Sequence, residues 1–72
     1  MNISGKRIRH IRKGLNLKQV DVASALNVDF DIEIDRSDIS EIERGVRGVK
    51  DFELDAIARF LDVSPEWLLR GS

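Results

Sequence analysis

Four carboxylates alternate with apolar residues at Asp29, Asp31, Glu33 and Asp35, and oxygen ligands in such a run could surround a hard cation. A helix–loop–helix calcium loop needs glycine at its sixth position and glutamate at its twelfth. Counted from Asp29, those positions hold Ile34 and Ser40; counted from Asp31, they hold Arg36 and Ile42. Neither frame works, so no metal site is expected. The chain has no cysteine and a single histidine, His10, which leaves no thiolate or imidazole set for zinc. His10 lies in a basic segment with no acid to orient it. A nucleophile–base pair is therefore not expected, nor is an enzyme, a cofactor or a small-molecule ligand. His10 reads as an exposed helix residue rather than a pH switch. The acidic run reads as a loop that docks Phe30, Ile32 and Ile34 and leaves its acids in water. The alternative is that those apolar residues pair with another chain.

The charges are unevenly distributed along the chain. Net charge is −1, yet residues 1–18 carry Lys6, Arg7, Arg9, Arg12, Lys13 and Lys18 with no acid. Residues 19–43 carry eight acids against Arg36 alone, and the remainder is balanced. The protein is therefore expected to present faces of opposite sign. The basic face of the first segment fits either a solvated surface or phosphate contacts.

Positioning these residues requires ordered elements, and 72 residues make one domain, 1–72, with a small core. Ile8, Ile11 and Leu15 recur at helical spacing, predicting a first helix over 4–15 with Ser4 as its cap. Val22, Ala23 and Leu26 mark a second over 18–27, whose start at Lys18 lacks a good capping side chain. Residues 28–35 read as an ordered loop. Asp35 caps a third helix over 36–44 carrying Ile39 and Ile42, and Gly45 stops it. A fourth helix runs from near Asp51 to near Asp62 with Leu54, Ile57, Ala58 and Leu61 on one face. Ser64-Pro65 opens a fifth, holding Trp67, Leu68 and Leu69, which Gly71 ends. Five short helices give an all-α domain. No apolar run is long enough to span a bilayer or serve as a signal peptide, so a soluble cytoplasmic protein is expected.

Three blocks sharpen this: RIRHIRKGLNLKQVDVASAL at 7–26, SDISEIERG at 37–45 and LDAIARFLDVSPEWLL at 54–69. In order and spacing they resemble the Cro/repressor-type, XRE-like helix-turn-helix family. The resemblance implies a compact repressor-like domain with the helix-turn-helix at helices two and three. The third helix would then be a recognition helix entering the major groove of double-stranded DNA. Arg36, Ser37, Asp38, Ser40 and Glu41 would project toward base edges, with Arg36 and Ser37 nearest. Arginine can pair bidentately with guanine, whereas Glu41 could only accept from a cytosine amino group. Lys18, Gln19, Arg44, Arg47 and Lys50 would contact phosphates. Arg12 and Glu43 would form a buried ion pair tying helix one to helix three.

Two departures qualify the family reading. The linker between helices two and three is longer than usual and lacks glycine. The third helix also carries Asp38, Glu41 and Glu43, and acids facing phosphates weaken binding. The expectation is transcriptional regulation, as a repressor dimer that pairs through helix five and Phe60, with modest affinity and steep salt dependence. The competing reading keeps the fold but makes it a protein-interaction module, antirepressor- or antitoxin-like, with weak or no DNA binding.

Overall fold

A computed structural model describes residues 3–70. The helices are α1 (Ile3–Gly14), α2 (Gln19–Phe30), α3 (Arg36–Arg44), α4 (Asp51–Leu61) and α5 (Pro65–Arg70). Gly71, expected to end α5, lies outside the described residues.

One core serves all five helices. Ile8, Val22, Leu26, Ile39, Ile42, Ile57 and Leu68 are fully buried, at least one from each helix. Those residues are the apolar positions at helical spacing, and burying a side chain of this size stabilises by about 1.5–3 kcal/mol. Helices α1 and α4 each touch three others, and α5 closes the bundle against both.

Three junctions differ from expectation. Ser4 is buried inside α1 rather than capping it, because it shares the inward flank of Ile8 and Ile11. Leu15, expected in the first helix, falls past its end and is half exposed. There Asn16 takes a left-handed conformation (φ 59°), and its N–H and that of Leu17 close on the carbonyls of Lys13 and Arg12. The second helix runs three residues beyond 27 because Phe30 packs against the core. The linker is therefore residues 31–35, not 28–35.

That linker turns without glycine. Asp31 adopts φ 55°, and its N–H and that of Ile32 donate to the carbonyl of Leu26. Asparagine and aspartate tolerate this region better than other non-glycine residues. The Asn27 side-chain amide donates to the carbonyls of Ile32 (2.7 Å) and Ile34 (2.9 Å), fastening the segment to the helix it leaves. Ile34 is buried and Phe30 and Ile32 half-buried, while Asp29, Asp31, Glu33 and Asp35 are exposed.

Candidate nucleic-acid interface

Helix α3 starts with a capping box. The Asp35 carboxylate accepts from the N–H of Asp38 (2.9 Å), and the Asp38 carboxylate accepts from the N–H of Asp35 (3.0 Å). Asp38, expected among the base readers, thus has its carboxylate turned back onto the helix start. At the other end Gly45 (φ 78°) lets the N–H groups of Gly45 and Val46 satisfy the carbonyls of Ile42 and Glu41. With Ile39 and Ile42 buried, Arg36, Ser37 and Arg44 are left exposed and Ser40 and Glu41 half-buried. Arg44 Nε donates to Ser40 Oγ at 3.3 Å, one turn away.

Helix α1 is bolted beneath α3. Arg12 donates through Nε to Glu43 Oε2 (2.7 Å) and through a terminal nitrogen to Glu43 Oε1 (3.0 Å), with both side chains under a tenth exposed. Its remaining terminal nitrogen donates to the carbonyl of Leu17 (2.8 Å). The hydrogen bond to Glu43 raises the Arg12 pKa above its ordinary value, outweighing the desolvation that lowers it. The Glu43 charge is therefore spent inside the protein and adds nothing to the acidity of the exposed face.

The pair continues outward. Gln19 donates from Nε2 to Glu43 Oε1 (3.1 Å), and its Oε1 accepts from Arg36 at 3.4 Å. The first residues of α2 and α3 are thereby connected through side chains, and Arg36 is held at the end of a relay that begins in the core. Lys18 precedes Gln19 as the N-cap of α2; its side chain makes no capping bond, but its N–H donates to the Asp21 carboxylate (2.7 Å), the return bond of a capping box.

A second ion pair was not anticipated. Glu53 is almost fully buried in the first turn of α4. Its carboxylate accepts two bonds from Arg47 (3.0 and 2.8 Å) and one from the N–H of Lys50 (3.0 Å). Arg47 also donates to the carbonyl of Gly48 (3.0 Å), and its Nε lies 3.8 Å from Asp38. Arg47, expected to contact phosphate, is held by these bonds to its own loop and to α4, with about a quarter of its side chain exposed. The Arg47 hydrogen bonds are the largest cause holding the Glu53 pKa below its ordinary value; burial opposes them. The sequence signal was present but ambiguous: an arginine six residues before a glutamate, across glycine, in a loop. Lys50 stays exposed, its ammonium 6.0 Å from the Phe52 ring centroid.

Among the described residues no group of three or more histidines or acids is placed to hold a metal ion. Nor is any helix among them long and apolar enough to cross a membrane.

A family model described as a helix-turn-helix domain matches residues 5–72. Among solved structures, the chain is similar to the P22 c2 repressor protein in complex with synthetic operator 9T in the presence of Tl+. The identity is 28% over the whole of both chains, with a TM-score of 0.84. No curated protein matches. The family and the fold are those of DNA-binding regulators rather than enzymes. The two linked helix starts, the bolt beneath them and the extent of both matches lead to one conclusion: the chain belongs to the Cro/repressor-type helix-turn-helix domain family.

Proposed function

We propose that the protein binds operator DNA sequence-specifically through α3 in the major groove and regulates transcription as a repressor dimer in the cytoplasm. The observation that carries this reading is the relay Arg12–Glu43–Gln19–Arg36, which holds an exposed arginine at the N-terminal end of α3. A similar chain has been solved in complex with an operator. Arg36 and Ser37 read base edges, and Ser40 and Glu41 lie next along the helix. Gln19, Lys18, Arg44 and Lys50 meet phosphates. Arg47 positions the loop that carries Lys50, and Asp38 caps the helix. Phe60 and Trp67, both half-buried, and the half-exposed Leu69 supply the dimer seam beside α5.

Selection of bound duplexes from random sequence tests this directly. An enriched palindrome confirms binding, pairing and half-site spacing together. Arg36→Ala then costs about 1–3 kcal/mol and relaxes preference at one base pair. If no duplex is retained at low salt, and Arg36→Ala with Arg44→Ala leaves the cellular phenotype intact, the same fold serves as a protein-interaction module.

A further inference from the structure

Lys6, Arg9 and Lys13 on α1 have no structural task. All three are exposed, and no side chain among them enters an ion pair or hydrogen bond with the described residues, although the chain carries 13 acids. Arg7 and Arg12, on the same helix, are both engaged. Arg7 lies over the Trp67 ring and donates to its carbonyl (2.7 Å), and Arg12 holds Glu43. The three free cations are also not scattered. At 100° per residue Lys6, Arg9 and Lys13 fall at about 120°, 60° and 100° from Arg12, a single stripe about 10 Å long. Arg12 marks where α1 meets α3, so the stripe opens to solvent beside that seam. Its C-terminal end, Lys13, is followed after the uncharged turn at 14–17 by Lys18 and Gln19, the residues that open α2.

We infer that Lys6, Arg9 and Lys13 form a second DNA-backbone surface, which follows the phosphates flanking the half-site that α3 enters. This rests on the DNA-binding reading above and extends its footprint. A stripe of three cations at intervals of about 4.5 and 6 Å suits successive phosphates, about 7 Å apart along one strand, because flexible side chains absorb the mismatch. It carries no base information, so it acts on affinity and not on sequence preference.

The test uses the full chain and a mixed-sequence duplex of about 20 bp, because backbone binding needs no known operator. The logarithm of affinity is measured against the logarithm of salt concentration for the wild type and for Lys6→Gln/Arg9→Gln/Lys13→Gln. Circular dichroism confirms that the variant is folded, and the three sites are exposed and unpartnered. Each lost phosphate contact lowers the slope by about 0.9, so a drop of about 2–3 is expected. On a duplex trimmed to the half-site the two proteins should converge. An unchanged slope on the longer duplex overturns the inference while leaving the groove reading intact. Loss of base preference in the variant overturns it too, since the stripe would then be reading sequence. A wild type that binds neither duplex removes the inference together with the reading beneath it.

Discussion

The two buried carboxylates among the described residues, Glu43 and Glu53, have the same kind of partner and different work. Glu43 reaches an arginine 31 residues away and joins two helices that are not neighbours in sequence. Glu53 takes one six residues away and closes a loop on itself. Arg12, like Glu43, is under a tenth exposed, whereas about a quarter of the Arg47 side chain faces water. Breaking a pair buried on both sides strands a charge, but breaking one that already reaches solvent on the arginine side lets water in. The first pair is thus a global joint and the second a local clamp.

Removing Arg12 is the harshest way to break the comparison. Arg12→Ala leaves Glu43 buried with only Gln19 to serve it and should cost about 3–5 kcal/mol. In a domain this small that is most of the stability, and urea titration will show it. Replacing both partners, as Arg12→Met with Glu43→Leu, should recover most of the loss, because no charge is then stranded. Failure of the double variant to recover would show that the pair adds net stability beyond its own desolvation.

Arg47→Ala should be milder, about 1–3 kcal/mol, since Glu53 keeps the N–H of Lys50 and gains water. Its larger consequence should be local: faster amide exchange over 46–50 with the core unchanged. Equal losses for Arg12→Ala and Arg47→Ala would abolish the distinction.

The acid limb of stability sharpens the contrast further. The folded Glu53 pKa lies below its ordinary value of 4.5, so its contribution is present above that pH and is lost as pH falls through the folded value. Glu53→Gln should therefore flatten the melting-temperature curve below about pH 4.5. An unchanged acid limb would show that other carboxylates carry it.

Gln19→Ala should have the smallest effect on stability, under about 1 kcal/mol, because Glu43 retains two bonds from Arg12. Its DNA affinity should nonetheless fall, as Arg36 loses its anchor. A Gln19 variant unaltered in both would show that the relay is incidental.

The linker and the ion pairs divide what a reader of the sequence could see from what was hidden. The capped third helix, its stop at Gly45, the Ser64-Pro65 start and the core positions were legible because each depends on neighbours within a turn or two. The Arg12–Glu43 pair was visible only through family resemblance. The second helix was read too short because Val28, Asp29 and Phe30 alternate like a strand, and only the core that receives Phe30 decides otherwise.

The charges of the third helix divide in the same way. The Asp38 carboxylate closes the cap at the helix start, and the Glu43 carboxylate, expected from the family resemblance to pair with Arg12, meets that arginine 31 residues away in sequence. The sequence by itself determined that there are five helices, and where the third, fourth and fifth begin, because capping and periodicity are short-range. Only the tertiary structure decided which charges remain for a partner, because a charge is cancelled by whatever the fold brings within hydrogen-bonding distance of it.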